Sequence, residues 1–176
     1  MSRKSLINYL LATSLFLLLG CQSANQRVGV TVKVERVVSG NTIEIIMQSG
    51  ASNLIEKVRL IGIAAPDLKQ DPWGVAAKKK LEELVGEKGG KVLLESDVET
   101  KDNFERRLAY LWDNGILINE KLVEQGYVLA EVLPPNLKYK KPLLRAEEYA
   151  RLMGYGIWNP TAPMRLTPKE FREQQK

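Results

Sequence analysis

The stretch "GVTVKVERVVSGNTIEIIM", Gly29 to Met47, decides how the rest of the chain is read. Val30, Val32 and Val34 alternate with Thr31, Lys33 and Glu35, the period of a strand with one buried face. Ser39-Gly40-Asn41-Thr42 has the composition of a tight turn, and "TIEIIM" reads as the returning strand of a hairpin. Beyond a polar "QSGASN" loop, "LIEKVRLIGI" reads as a third strand, so the folded part opens with a β-meander.

"APDLKQDPWG" interrupts this pattern with two prolines and a glycine. "VAAKKKLEELV" then places Ala77, Leu81, Leu84 and Val85 on one helical face, and Lys78, Lys79 and Lys80 mostly on a solvated one. "KVLLES", after an "EKGG" turn, and "RRLAYLW", before the hairpin signal "DNG", supply a fourth and a fifth strand. "ILINEKLVEQG" passes from a short strand into a helix that Asn119 caps and Gly126 ends. In "PLLRAEEYARLMG", Leu143, Ala146, Ala150 and Met153 share a face between Pro142 and Gly154. Strands in the first half and helices in the second predict an α+β domain, a small five-stranded barrel capped by helices.

The N-terminus has a different character. Arg3 and Lys4 precede an apolar run, "LINYLLATSLFLLLG", that ends at the chain's single cysteine, Cys21. The run is short for a membrane span and has the layout of an export signal. "LLLGC" resembles the lipobox of bacterial lipoproteins, which implies cleavage before Cys21 and a lipid on its thiol. Residues 1–20 are then the signal, 21–28 the lipidated cysteine and a short tether, 29–160 the domain, and 161–176 a polar tail. Gln22 after the cysteine implies the outer membrane as destination in a cell that has one.

Removing residues 1–20 takes away two positive charges and no negative ones, lowering the net charge from +5 to +3. This mild excess permits an anionic partner without demanding one. The chain has no histidine, which excludes imidazole bases, histidine-activated nucleophiles and the common zinc sites.

The segments "VVSGNTIEI", "VRLIGIAAPD", "PWGVAAKKKLEELV", "DNFERRLAYLWDNGILINEKLVEQGYVLAEV" and "EEYARLMGYGIW" occur in that order. Together they resemble the staphylococcal nuclease, or thermonuclease, family over about residues 29 to 160. The resemblance implies an OB-fold barrel with three helices. It also implies hydrolysis of the phosphodiester backbone of DNA or RNA with one Ca²⁺, two phosphate-binding arginines and a carboxylate base toward water. On the matching positions the arginines are Arg59 and Arg106, and the base position holds Asp67. Planar guanidinium groups suit a phosphate that gains charge in the transition state.

The metal positions depart from the family pattern. A turn that usually reads D-G-D-T is Ser39-Gly40-Asn41-Thr42 here, and D-x-P-E is Ala64-Ala65-Pro66-Asp67. Ca²⁺ needs six to eight oxygens and gains affinity from charged ligands. With only the Asn41 amide, the Ala65 backbone carbonyl and Asp67 left to offer oxygen, Ca²⁺ binding should be weakened. Phe104 stands where a phosphate-bonding tyrosine is usual, and Glu105 sets a negative charge beside Arg106. Lys138, Tyr139 and Lys140, in "NLKYKKPLLR", form a candidate surface for the backbone and a stacked base, or a solubilising loop. Two further readings stay open: a barrel that binds nucleic acid or another anionic polymer without cutting it, and an envelope lipoprotein that binds a protein partner.

Overall fold

The computed structural model describes residues 28–49, 52–86 and 90–175. The signal, Cys21 and residues 22–27 of the tether lie outside the described residues, as does most of the "EKGG" turn. The meander forms as β1 (Val30–Ser39), β2 (Thr42–Ser49) and β3 (Ser52–Leu60). In the β1–β2 hairpin Ser39 pairs with Thr42, leaving Gly40 and Asn41 as the two-residue turn. The β2–β3 register runs on to Ser49 opposite Ser52, so the expected "QSGASN" loop is mostly strand. Regular pairing satisfies backbone groups that a polar loop would leave to water.

β1 holds two neighbours at once. Residues 30–33 pair with β5 (Lys91–Glu95), while residues 33–39 pair with β2 through register shifts at Glu35 and Val38. Such bulges bend a strand sharply, which lets one strand turn the corner of a small barrel. β5 pairs with β6 (Arg107–Asp113), and β6 runs parallel to β3 over Val58 to Leu60, closing five strands into the expected barrel. No adjacent hairpin announces this closing pair. A two-residue β4 (Ile63–Ala64) pairs with β8 (Leu129–Ala130), and β7 (Ile116–Leu117) folds back antiparallel on the end of β6.

The alternating face fills the interior with Val32, Val34, Ile43, Ile45, Val58, Leu60, Val92, Leu94, Ala109 and Leu111, all buried. Burying each larger aliphatic contributes about 1.5–3 kcal/mol. Helix α1 (Trp73–Val85) covers one side with Ala77, Leu81 and Val85, with Leu84 packed at the core's edge. Gly40 sits beneath it: a Cβ there would come within 2.6 Å of the Ala77 Cβ and 2.9 Å of the Ala65 Cβ. This close approach holds the turn against both the helix and the segment after β4.

Helix α2 (Ile118–Glu124) is capped at Leu117, not at Asn119 as expected. Asn119 is fully buried inside the helix, where its carboxamide accepts from Leu111 N at 2.9 Å and donates to Ile61 O at 2.8 Å. The barrel interior has therefore taken a residue whose type favours caps, because it can serve two backbone groups at once, one within β6 and one just past β3. Gly126 ends α2 at φ +71°, with the Tyr155 carbonyl 2.1 Å from where a Cβ would stand.

Helix α3 (Lys140–Met153) begins two residues before Pro142 and buries Leu143, Ala146 and Ala150. Met153, expected on that face, is 51% exposed, because the helix turns into the Gly154 cap there and leaves the core. A fourth helix, α4 (Pro168–Gln174), stands where a polar tail was expected, making four described helices and not three. Its start is a capping box: Thr167 N donates to Glu170 Oε2 at 2.7 Å and Glu170 N to Thr167 Oγ1 at 3.3 Å, with Pro168 at the first helical position.

Candidate functional site

The β2–β3 register sets Arg59 directly opposite Thr42, and the Asn41 carbonyl accepts from Leu60 N at 2.9 Å. The Gly40-Asn41 turn and the first arginine are thus neighbours by strand pairing. On its other side Arg59 pairs with Leu108 of β6, just past Arg106. The parallel closure of the barrel therefore brings together two arginines separated by nearly fifty residues, and the positive charge of Arg106 acts on Arg59.

Arg59 is mostly buried. Its Nη2 donates to Ile63 O at 3.0 Å and lies 3.9 Å from Glu131 Oε2, while Nη1 is buried with no partner among the described residues. Glu131 is held there because its N–H donates to Gly62 O at 2.8 Å, laying residues 129–131 along residues 62–64. Burial, reinforced by Arg106 and opposed by Glu131, lowers the Arg59 pKa to about 10. The guanidinium is still charged at neutral pH. Beside it a cavity of 200 Å³ is bounded by Glu99, Glu131, Leu133 and Asn136.

Arg106 is fixed by Asp102. Its Nε and Nη2 reach Asp102 Oδ2 at 2.7 and 2.6 Å, while Oδ1 accepts from Phe104 N at 2.9 Å and Arg106 N at 3.0 Å. Desolvation raises the Asp102 pKa, but the hydrogen bonds from Arg106 and Phe104 outweigh it and hold the carboxyl below its usual range. Asp102, which the sequence reading passed over, is therefore the acid at the second arginine. Glu105, expected in that role, is turned away by a φ of +60° and pairs with Lys101 at 2.9 Å. Phe104 is 80% exposed with the Arg106 guanidinium 5.5 Å from its ring centre, and Lys57, Phe104 and Arg106 line an open concavity of 340 Å³.

The candidate metal positions are poor calcium donors. The Asn41 side chain is 8% exposed, and its Oδ1 accepts from the hydroxyls of Ser39 at 3.2 Å and Thr42 at 3.3 Å. Ala64 and Ala65 are buried and bring no charged ligand. Asp67 Oδ1 accepts from Lys69 N at 2.9 Å in a local turn. Among the described residues no cluster of three acidic, cysteine or histidine side chains could hold an ion. One carboxylate and amide or backbone oxygens do not make a calcium site, because affinity follows the charged ligand count.

Lys138 and Tyr139 are committed elsewhere. Lys138 Nζ pairs with Glu95 Oε1, and the Tyr139 hydroxyl donates to Glu95 Oε2 at 2.7 Å. The Tyr139 ring stands edge-on to Tyr110 and Trp112, with centroids 4.6 and 5.5 Å away. These two side chains brace the start of α3 on β5. Lys140 is exposed in the first turn of α3.

A closed mixed five-stranded barrel that brings two arginines, one desolvated and one paired with Asp102, to the seam between β3 and β6 defines a small OB-type α+β protein. Comparison with known proteins agrees. The family described as staphylococcal nuclease homologue matches residues 57–160. The chain is 32% identical over 145 residues to the thermonuclease of Staphylococcus hyicus, covering 80% of each chain. It is 35% identical over 135 residues to the thermonuclease of Staphylococcus intermedius, covering 74% of this chain and 77% of the relative. Endonuclease YncB of Bacillus subtilis is 31% identical over 144 residues, 78% of this chain and 65% of the relative. The chain belongs to the staphylococcal nuclease family, and nucleic-acid hydrolysis is the activity that the names of these relatives give at the level of the family.

Proposed function

We propose that the protein is an envelope-anchored phosphodiesterase that grips the nucleic-acid backbone with Arg59 and Arg106 and hydrolyses it slowly. Cys21 carries the lipid, and Asp67 acts as base toward water. The observation that supports this reading is the Arg59 guanidinium, desolvated, acting with a second arginine, and holding a buried Nη1 that has no partner among the described residues. An unmade hydrogen bond on a buried charged group costs on the order of 1–3 kcal/mol. A phosphate oxygen would satisfy it, and the two cations would stabilise charge that develops on the phosphoryl oxygens.

Hydrolysis is slow in this reading because the donor set does not suit calcium. A Lewis-acid metal is worth several kcal/mol in the transition state, whereas a positioned base supplies about 10²- to 10⁴-fold. The loss of the first leaves an enzyme that relies on the arginines and Asp67.

The internally bonded Asn41 and the methyl group of Ala64 favour a second reading, in which the same site binds nucleic acid without cutting it. One experiment separates the two. The protein is incubated with single-stranded DNA, duplex DNA and RNA, with Ca²⁺ or with chelator, beside an Arg59→Ala, Arg106→Ala double variant. Slow cleavage that persists in chelator and vanishes in the variant supports the enzyme. Salt-sensitive binding without cleavage supports the binding module. Absence of both from a folded sample rejects the phosphodiester site.

A further inference from the structure

Where β1 begins, the barrel wall opens. Residues 30–33 of β1 pair with β5, but pairing with β2 starts only at Lys33, so the first residues of β1 and the end of β2 part. The cleft between them measures 620 Å³, and Val30, Ile46 and Met47 line it. The β2–β3 register sets Ile55 across from Ile46 and Leu54 across from Met47, which carries this apolar surface onto β3. Val28, just before β1, and Val30, Leu54 and Ile55 are each more than half exposed. A single exposed aliphatic needs no explanation, whereas several joined around one cleft mark a surface that something covers.

Basic residues border this surface. One row crosses four strands in register, Lys91 of β5, Lys33 of β1, Ile46 of β2 and Ile55 of β3, and so lies on one face. Both lysines are exposed, and among the described residues no acid lines the cleft. Like charges set directly opposite one another weaken a strand pair. An anionic surface removes that repulsion while the neighbouring apolar side chains leave water.

Seven residues carry the chain from Cys21 to Val28. Fully extended, they span at most about 25 Å. A lipid on Cys21 therefore keeps this end of the barrel within reach of the bilayer, at high effective concentration. We propose that the open end of the barrel, Val28, Val30, Leu54 and Ile55 with Lys33 and Lys91, docks on an anionic lipid surface. The inference rests on the lipid anchor in the reading above and goes further, since an anchor alone leaves the domain free to tumble. Arg59 lies four residues beyond Ile55, about 13 Å further along β3. Docking by the opposite end turns the arginine seam toward the solvent from which a polymer arrives.

The test uses the full lipidated chain in vesicles of phosphatidylglycerol and phosphatidylcholine in equal amounts. Acylation consumes the chain's single cysteine, so Ile55→Cys and Leu152→Cys each accept one fluorophore. Leu152 is exposed on α3, which packs on α2 and β8. A quencher carried on the lipid tails is expected to dim the label on Ile55→Cys several-fold and to leave that on Leu152→Cys nearly unchanged. Lys33→Gln and Lys91→Gln are each expected to weaken docking about 5-fold and to make it less sensitive to salt. Leu54→Asn weakens it without changing the salt response. Thermal melting checks that each variant is folded. Vesicle-bound protein with no quenching on Ile55→Cys, or with equal quenching on both labels, overturns the docked face. So does docking that is unchanged in folded Lys33→Gln, Lys91→Gln and Leu54→Asn, or energy transfer between labelled copies without lipid quenching, which assigns the patch to a second copy. Protein that does not float with the vesicles overturns the lipid anchor as well.

Discussion

The Trp112 indole N–H donates to Glu95 Oε2 over 2.7 Å, on a carboxylate that is 3% exposed. Lys138 and Tyr139 supply the remaining donors, so Glu95 is the acceptor that fastens the segment before α3 to the barrel wall. Desolvation raises the Glu95 pKa, but the hydrogen bonds from Lys138, Tyr139 and Trp112, with the Lys138 charge, outweigh it, and the net direction is down. A carboxyl whose folded pKa lies below its unfolded value stabilises the fold fully above its ordinary 4.5, and that contribution is lost as pH falls through the depressed value. Urea unfolding is therefore expected to show acid destabilisation in the wild type that is blunted in Glu95→Gln. At neutral pH Glu95→Ala is expected to cost about 3 kcal/mol, since it leaves buried donors unpaired.

Asn119 offers a second test of buried polar bonding. Its carboxamide serves one donor from β6 and one acceptor after β3, and Asn119→Ala strands both. At about 1–3 kcal/mol for each unmet group, the variant should lose roughly 3 kcal/mol in denaturant unfolding, while Asn119→Asp should lose part of that through its unpaired charge.

Gly40 tests the packing that carries the turn. Its φ is not in the left-handed region, so Gly40→Ala acts through contact with Ala77 and Ala65 alone. Overpacking of this kind costs about 1–3 kcal/mol. Gly40→Ala paired with Ala77→Gly is expected to recover part of the loss, measured by thermal melting.

Restoring the missing carboxylates reverses the argument about calcium. Asn41→Asp with Ala64→Asp places two acids beside Asp67 at buried positions, which should lower the melting temperature in chelator. Added Ca²⁺ should raise it again, since saturation at a hundred times Kd contributes about 2.7 kcal/mol. The wild type should show little calcium-dependent shift. A double variant whose melting ignores Ca²⁺ would mean that the backbone, not the side chains, prevents metal binding.

The barrel was readable because each strand carries its own alternation. Val30, Val32 and Val34 announce a buried face whatever lies opposite, and the Asp113-Asn114-Gly115 turn announces a hairpin. Arg59 and Arg106 were singled out by the motifs around them, and the parallel β3–β6 pairing brings those two segments side by side. α4 also had a local signal, the Thr167-Pro168-x-Glu170 box, which a polar composition concealed. Asp102 and Glu131 had no such signal. Each matters because of a residue far away or a turn geometry: Asp102 through the bend that aims it at Arg106, Glu131 through β4–β8 pairing.

By itself, then, the sequence determined the α+β barrel, the apolar face of α1 and most of that of α3, the family and the loss of calcium carboxylates, since periodicity, turn chemistry and residue type are local properties. Only the tertiary structure decided which charges face one another. The parallel β3–β6 seam and the β4–β8 pairing join residues that no sequence period relates, and the energy of a charge depends on those neighbours and on the water they exclude.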